Sequence, residues 1–214
     1  MMTEQSQAKG ANASLYLPYV PMEPYLPENT SGKEKTLVLD LDETLIFCQD
    51  IRPADSLDLP MTTIKFLKRP GLTKFFTQMS QLFEIVIFTA NCKEYADAVI
   101  DSLPEIQACI SHRLYWDHVT VQGPERSSET PEIISEGGPQ SYTTPRVFDQ
   151  LDQSSMCFKD ISKLGRPLEK VVMVDSQVCN ISRFPDNGVL VGPWKGDPKD
   201  KELAKLKLHL MGML

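Results

Sequence analysis

The sequence predicts an α/β fold in which a doubly wound, mainly parallel β-sheet is covered on both faces. Three short runs rich in β-branched residues have the length of buried strands and lack polar alternation, which is typical of a covered parallel sheet. Segments with a helical pattern follow the first and second runs, and this alternation indicates right-handed crossover connections. The three runs are TLVLDL at 36–41, FEIVIF at 83–88 and KVVMVD at 170–175.

Three segments carry apolar residues at helical spacing and are predicted to be helices. The first, at 71–83, follows the turn KRPG; the second lies at 92–103 and the third closes the chain at 199–214. The positions predicted to face the core are Leu72, Phe75, Phe76, Met79 and Leu82 in the first segment, Tyr95, Ala98, Val99 and Leu103 in the second, and Leu203, Leu206 and Leu210 in the third.

Length and composition indicate one folded domain. A chain of 214 residues can bury one sizeable α/β core, and 41% hydrophobic with 24% charged residues is ordinary for a globular protein. We predict a flexible, proline-rich N-terminal arm over residues 1–33 and a folded domain over residues 34–214. Gly, Pro, Ser and Thr interrupt the regular pattern at about 122–155, which predicts a surface insertion.

Charge and cysteine usage restrict the partners and the compartment. The formal net charge of -7 argues against nucleic-acid and anionic-membrane partners, because an acidic surface attracts neither. No apolar run approaches the roughly 18 residues of a membrane span, so no span is predicted. The five cysteines include no C-x-x-C pair, which favours a reducing intracellular compartment, nuclear or cytoplasmic, over a disulfide framework or a zinc site. The sequence carries no signal for an oligomeric state.

Polar residues stand where each predicted strand ends. Asp40 lies near the end of the first run and Asp42 directly follows that run, Thr89 follows the second, and Asp175 ends the third. Ligands of open parallel sheets bind beyond the carboxyl ends of the strands, so these side chains are expected to meet on one rim. Taken alone, a short acidic cluster after a strand is more often a solvated turn or a helix cap.

A shared cation is the natural means of holding converging carboxylates together. Carboxylates a few ångströms apart repel one another unless a proton or a cation lies between them. Mg²⁺ suits so few protein ligands, because it uses one or two carboxylates, several waters and a substrate phosphate. An EF-hand calcium loop is excluded, because Leu45 stands where that loop requires glycine and Ile51 where it requires glutamate.

The motif DLDETL at 40–45 resembles the D-x-D-x-T signature of haloacid dehalogenase-type (HAD-like) phosphatases. With four further stretches it is similar to the CTD-type small serine/threonine phosphatases, the NLI-interacting-factor-like family, from about residue 34 to 206. The further stretches are LKRPG, LFEIVIFTANCKEYADAVID, CFKDISKLGRPLEKVVMVD and NGVLVGPWKGDPKDKEL. The resemblance implies a HAD-like, Rossmann-type core without a large cap domain.

The resemblance also implies magnesium-dependent hydrolysis of phosphoserine or phosphothreonine in a phosphoprotein or phosphopeptide. Asp40 would be the nucleophile that forms an aspartyl-phosphate. Asp42 would be the general acid and then the general base, with a pKa above that of Asp40. Thr89, Ala90 and Lys159 would hold the phosphoryl oxygens of the substrate.

The same resemblance implies a metal site at the rim of the sheet. Mg²⁺ would be held by Asp40, the backbone carbonyl of Asp42, Asp175 and Ser176. The family usually has asparagine or aspartate where Ser176 stands, and a serine hydroxyl is a poorer magnesium ligand, so weaker metal binding is expected. Thr44 would fix the loop after the first strand.

Two other functions remain open on the sequence. A small-molecule phosphatase would use the same catalytic residues, although the absence of a large cap favours a peptide substrate over a metabolite. A phosphate-binding scaffold with weakened catalysis is suggested by Ser176, but the intact set of predicted catalytic residues argues against it.

Overall fold

The computed structural model describes residues 21–50, 64–122 and 156–214. The strands are β1 Lys35–Leu39, β2 Ile46–Asp50, β3 Lys65–Lys68, β4 Phe83–Phe88, β5 His112–Leu114, β6 Val119–Gln122, β7 Met156–Lys159, β8 Val171–Asp175 and β9 Gly188–Leu190. The α-helices are α1 Leu72–Met79, α2 Lys93–Asp101, α3 Pro104–Gln107, α4 Val178–Ser182 and α5 Glu202–Met211. Short 3₁₀-helices occur at Trp116–His118, Ile161–Leu164 and Leu168–Lys170.

Five parallel strands form the central sheet, in the order β5-β4-β1-β8-β9. Leu39 of the middle strand, β1, pairs with Ile87 of β4 on one side and with Val174 of β8 on the other. The chain adds β4 and β5 on one side of β1 and β8 and β9 on the other, so the switch in strand order lies beside β1. The predicted parallel sheet is confirmed, and Asp40 directly follows the strand at the switch point.

Both faces of the sheet are covered. Leu37 and Leu39 of β1 belong to a core formed with α1, α2 and α5, whereas Val38 belongs to a second core on the opposite face. This division follows from the two-residue period of a strand. Ile161 lies in the second core and Ile181 of α4 packs against it. Every residue of β4 is buried, which explains why this strand shows no polar alternation.

The predicted helices form, with one error in the buried face. Leu203, Leu206 and Leu210 of α5 are buried as predicted. In α2, however, Ala98 is exposed and Ala96 is buried in its place, because the helix turns the position before Val99 away from the sheet. Among the described helices, none is long and apolar enough to cross a lipid bilayer.

Two antiparallel pairs of strands accompany the central sheet. β2 pairs with β3, and β6 pairs with β7. Gln122 pairs with Met156, so the two ends of the predicted insertion lie side by side. Residues 123–155 of the predicted insertion lie outside the described residues. Within the described ranges, the chain has no separate cap domain over the sheet.

The predicted N-terminal arm lies partly outside the described residues, which begin at 21. Residues 21–33 contain no helix or strand. They are nonetheless attached to the domain, because Leu26 is 3% exposed and belongs to the second core. The backbone N–H of Tyr25 also donates to the carbonyl of Lys163 at 2.8 Å. Over these residues the structure therefore differs from a free arm.

A buried carboxylate on β4 joins the central sheet to the segment after β7. Glu84 accepts hydrogen bonds of 2.8 Å from Nε and Nη2 of Arg166 and from Oγ1 of Thr36. His112 Nε2 lies 3.3 Å from the same carboxylate. Burial alone would raise the pKa of Glu84, but the hydrogen bonds from Arg166 and Thr36 outweigh burial and lower this pKa.

Replacing Glu84 with glutamine is expected to lower the free energy of unfolding by about 3 kcal/mol near neutral pH, because Arg166 would lose its charged partner. The folded-state pKa of Glu84 is the lower one, so its contribution is complete above about pH 4.5 and is lost as the pH falls through the folded-state pKa. Urea unfolding of both proteins at neutral and at acidic pH tests this. The difference between them should shrink in acid, and an equal difference at both values would contradict the ion-pair explanation.

Candidate active site

Four segments of the chain bring polar side chains to the carboxyl end of the sheet. Asp40 directly follows β1 and Thr89 directly follows β4, while Asp175 ends β8 and Lys159 ends β7. The backbone N–H of Asp40 donates to the carbonyl of Val174 at 3.0 Å, so the sheet holds this residue beyond the end of its strand. The predicted convergence on one rim is therefore present, and it includes the lysine.

Lys159 lies between two buried carboxylates. Its Nζ donates to Oδ1 of Asp40 at 2.6 Å and to Oδ2 of Asp175 at 2.7 Å. Burial alone would lower the pKa of Lys159, but the two carboxylates outweigh burial and raise it. Burial raises the pKa of Asp40 to about 6, against the opposing charge of Lys159. The ammonium of Lys159 is thus the cation that allows two buried carboxylates to lie in one site.

The loop after β1 orients the other oxygen of Asp40. Thr44 Oγ1 donates to Oδ2 of Asp40 at 2.7 Å. Arg69 holds this loop in turn, because its Nη1 donates to the carbonyl of Thr44 at 3.0 Å and its Nη2 to the carbonyl of Gly192 at 3.1 Å. The guanidinium also makes a two-pronged contact with Asp200, at 2.9 Å from Nε and 3.1 Å from Nη2. Thr44 therefore orients the predicted nucleophile as well as the loop.

Asp42 receives a hydrogen-bond donor on each carboxyl oxygen. Asn91 Nδ2 donates to Oδ2 at 2.7 Å, and the hydroxyl of Tyr95 donates to Oδ1. Burial raises the pKa of Asp42, and these two hydrogen bonds oppose the rise. Burial therefore raises the pKa of both Asp40 and Asp42, and the expected order of these two pKa values stays a prediction.

The hydroxyl of Thr89 is placed to donate a hydrogen bond. Thr89 is buried, and its Oγ1 accepts from the backbone N–H of Asn91 at 3.1 Å. That bond uses a lone pair of the hydroxyl, so the hydroxyl hydrogen remains for another acceptor, such as a phosphoryl oxygen. Ala90 lies between these two residues in the same loop and is half-buried.

The turn after β8 is held by a set of short hydrogen bonds. Oδ1 of Asp175 accepts from the backbone N–H of Gln177 at 2.7 Å, and Oδ2 accepts from Nδ2 of Asn180 at 2.8 Å. Oδ1 of Asn180 accepts from the backbone N–H of Lys159 at 3.1 Å, so Asn180 joins the carboxylate to the lysine strand. The hydroxyl of Ser176 is buried and has no hydrogen-bond partner within the described part of the chain.

The predicted metal ligands are all oxygen atoms, the ligand type that a magnesium ion prefers. No group of three or more His, Cys, Asp or Glu side chains in the described ranges could hold a metal ion. Magnesium needs fewer, because waters and a substrate phosphate complete its shell. Two carboxylates, a backbone carbonyl and a hydroxyl are hard oxygen donors, and a cation would satisfy the unpartnered Ser176 hydroxyl. The donor set of Asp40, Asp42, Asp175 and Ser176 therefore fits Mg²⁺.

Sequence reasoning missed four residues that contact the predicted site: Arg69, Asn91, Tyr95 and Asn180. Tyr95 offered a signal, because a tyrosine on an otherwise apolar helix face needs a partner for its hydroxyl. For Arg69 the motif KRPG predicts only a turn, and the need of its guanidinium for several acceptors follows from its burial in the structure. For Asn91 and Asn180 no local pattern points to the contacts that they make.

The covered parallel sheet, with two carboxylates and a buried lysine meeting at its switch point, defines a doubly wound α/β protein with a polar site at the carboxyl end of its strands. A model of the NLI interacting factor-like phosphatases matches residues 35–130 and 132–214. The chain belongs to the NLI interacting factor-like phosphatase family, and the family predicted from the sequence motifs is confirmed.

Individual relatives agree with this family. The CTD small phosphatase-like protein 3 of Caenorhabditis elegans is 33% identical over 192 residues, covering 86% of this chain and 56% of the relative. The human CTD small phosphatase-like protein is 31% identical over 209 residues, covering 89% of this chain and 60% of the human protein. The chain spans about half the length of the curated relatives it matches.

Among solved structures, the fission yeast RNA polymerase II CTD phosphatase Fcp1 is similar to this chain. It has a TM-score of 0.48 and 16% sequence identity, covering 85% of this chain and 50% of that one.

Proposed function

We propose that the chain is a magnesium-dependent protein serine/threonine phosphatase that hydrolyses phosphomonoesters through an aspartyl-phosphate on Asp40. The observation that carries this proposal is the buried contact of Lys159 with Asp40 and Asp175. Lys159 and Thr44 each hold one oxygen of Asp40, which presents a fixed carboxylate to an electrophile. Membership of a family described as phosphatases supports the same conclusion.

In the first step, an oxygen of Asp40 forms a bond to phosphorus while the bond from phosphorus to the ester oxygen breaks. Asp42 gives its proton to the departing serine or threonine oxygen. The hydroxyl of Thr89 and the ammonium of Lys159 bind phosphoryl oxygens and stabilise their negative charge. We assign the backbone of Ala90, beside Thr89, to the same phosphate group.

In the second step, Asp42 takes a proton from water while the oxygen of that water forms a bond to phosphorus. The bond between phosphorus and Asp40 breaks, and inorganic phosphate leaves. Both carboxyl groups then return to their starting protonation states. One side chain therefore serves as acid and then as base, which requires that its orientation be kept through both steps.

A magnesium ion, when bound, would supply positive charge that stabilises the phosphoryl group and the attacking carboxylate. Asp40, the carbonyl of Asp42, Asp175 and Ser176 would hold it. Lys159 already offsets part of the charge of Asp40 and Asp175, so these two carboxylates can lie close together without a metal ion.

The open rim favours a protein substrate. Within the described ranges no cap domain covers the carboxyl end of the sheet, and an open site admits a peptide segment. A small-molecule phosphatase is the second candidate. A phosphate-binding scaffold is the third, motivated by the serine at position 176, and the complete set of predicted catalytic groups argues against it.

Phosphate release separates the three functions. The purified chain would be incubated with an aryl phosphate, a phosphoserine peptide and a sugar phosphate, each with Mg²⁺ and with chelator. We expect metal-dependent release from the aryl phosphate and the peptide. Preference for the sugar phosphate would favour a small-molecule enzyme. Peptide binding without any release would favour the scaffold, and release that persists in chelator would contradict the metal dependence.

Replacing Ser176 with asparagine is expected to tighten Mg²⁺ binding by about tenfold, because an amide oxygen is a stronger ligand than a hydroxyl. Calorimetric titration of the substrate-free protein measures this affinity independently of turnover. Ser182→Asn is a matched control, since Ser182 is exposed on α4 and its hydroxyl donates to the backbone carbonyl of Cys179. An unchanged affinity in the Ser176 variant would remove this residue from the proposed metal site.

We also propose that the protein works in a reducing intracellular compartment, nuclear or cytoplasmic. All five cysteines lie in the described part of the chain, and none of them forms a disulfide there. The partner that we propose is a phosphoprotein or phosphopeptide, and the acidic net charge of -7 supports neither nucleic acid nor an anionic membrane.

A further inference from the structure

We propose that Asn91 and Tyr95 are positioning residues that hold the carboxyl of Asp42 in the orientation needed for proton transfer. This inference rests on the function proposed above and extends it to two side chains outside the predicted catalytic set. Its basis is the geometry around Asp42, where two neutral donors from different parts of the chain meet the two oxygens of one carboxyl group.

The two hydrogen bonds fix the plane of the carboxyl. Asn91 lies in the loop after β4 and donates to Oδ2 of Asp42 at 2.7 Å, while Tyr95 lies in the first turn of α2 and donates to Oδ1. A free aspartate carboxyl rotates broadly about its last bond. A donor on each oxygen prevents this rotation. The remaining lone pairs of the two Asp42 oxygens therefore point in a fixed direction.

Asn91 is itself held on both sides of its backbone. Its N–H donates to Oγ1 of Thr89 at 3.1 Å, and its carbonyl accepts from the N–H of Trp116 at 2.9 Å. Asn91 therefore contacts both the hydroxyl of Thr89, which would bind phosphate, and the carboxyl of Asp42, which would transfer the proton. Tyr95 is 3% exposed and belongs to the core, so packing of its ring also fixes the position of its hydroxyl.

The nature of the donors suits a group that must act as both acid and base. An amide and a phenol orient a carboxyl without placing a full charge beside it, unlike the lysine beside Asp40. A displacement of about 1 Å in a reacting group can cost about 100-fold in rate. Loss of either donor should therefore lower the rate of any reaction that is limited by proton transfer to the leaving group.

The leaving group of the substrate distinguishes positioning from general structural support. A serine alkoxide needs a proton as it departs, whereas dinitrophenolate departs without one. The ratio kcat/KM reports the steps up to formation of the aspartyl-phosphate, before Asp42 has to act as a base. We therefore compare kcat/KM for a phosphoserine peptide with kcat/KM for dinitrophenyl phosphate, in Asn91→Ala, in Tyr95→Phe and in the double variant.

For the peptide, we expect kcat/KM to fall by roughly 10- to 100-fold in each single variant, and for dinitrophenyl phosphate by less than about threefold. Tyr115→Phe is the matched control, because it also removes a phenol hydroxyl, one that donates to Asp97 and not to Asp42. The control should keep the wild-type ratio between the two substrates. Thermal unfolding of all variants shows whether each remains folded at the assay temperature.

Equal losses on both substrates in a folded variant would overturn the positioning role and leave the phosphatase function intact. Wild-type rates on both substrates in the double variant would overturn it equally. A folded wild-type protein that hydrolyses neither substrate would overturn the proposed function itself, and this inference with it. Failure of the positioning role would be seen in the variants, whereas failure of the phosphatase function would be seen in the wild-type protein. The experiment therefore distinguishes the two.

Discussion

Replacing Asp40 with asparagine is expected to lower phosphate release by at least about 1000-fold, while the protein stays folded. The amide lacks the negative oxygen that would attack phosphorus, so no aspartyl-phosphate can form. Its size is nearly unchanged, its carbonyl oxygen can still accept from Thr44, and Lys159 keeps Asp175 as a partner. Release from an aryl phosphate in Mg²⁺ measures the loss, and thermal unfolding measures retention of the fold.

The control for this experiment is Asp117→Asn, which makes the same chemical change on an exposed carboxylate. It should retain wild-type activity. Acid quenching of the wild-type reaction with a labelled substrate should trap label on the protein, and Asp40→Asn should trap none. A folded Asp40 variant with more than about a tenth of the wild-type rate would remove Asp40 from the nucleophile role.

Replacing Lys159 with methionine is expected to lower the free energy of unfolding by about 3–5 kcal/mol in the presence of chelator, and to abolish turnover. The change leaves the carboxylates of Asp40 and Asp175 buried together without the ammonium between them. Urea unfolding measures the loss of stability. The matched control is Lys163→Met, because Lys163 contacts Glu23 at a more exposed position and should contribute less than about 1 kcal/mol.

A second variant separates the charge of Lys159 from its packing. Adding Asp175→Asn to Lys159→Met removes one of the two repelling carboxylates, so part of the lost stability should return while turnover stays absent. If the double variant is no more stable than Lys159→Met, repulsion between carboxylates is not the cause of the loss. If Lys159→Met alone unfolds like the Lys163 control, the buried cluster does not stabilise the fold.

Much of the fold could be predicted because the strands and helices bury continuous apolar patterns. FEIVIF at 83–88 forms β4 with the same bounds as the run, because a strand covered on both faces is mostly apolar, and its one charged residue, Glu84, is paired with Arg166. The convergence of Asp40, Thr89 and Asp175 followed from a general property of parallel sheets, namely that their strands end on the same side. The family motifs placed Lys159 in the site, although nothing in its local sequence does so.

The remainder could not be predicted because it depends on contacts between distant segments. The docking of Leu26 requires an apolar site that exists only after the second core has formed. Ala98 and Ala96 are equally apolar, so periodicity alone could not decide which of them faces the sheet. Asn91 and Tyr95 meet Asp42 across 49 and 53 residues of sequence, and Arg69 meets Asp200 across 131.

The position of β1 in the middle of the sheet has a consequence for how the chain is made. β4 follows β1 closely, but the partner on its other edge, β8, is synthesised much later. Asp40 precedes Lys159 by 119 residues, an interval that a ribosome translates in roughly 6–24 s at about 5–20 residues per second. Throughout that time Lys159 is not available to the carboxylate of Asp40, and the edge of β1 that later pairs with β8 has no partner strand. Asp40 is therefore made long before the buried cluster around it can assemble, and this assembly has to await the synthesis of β7 and β8.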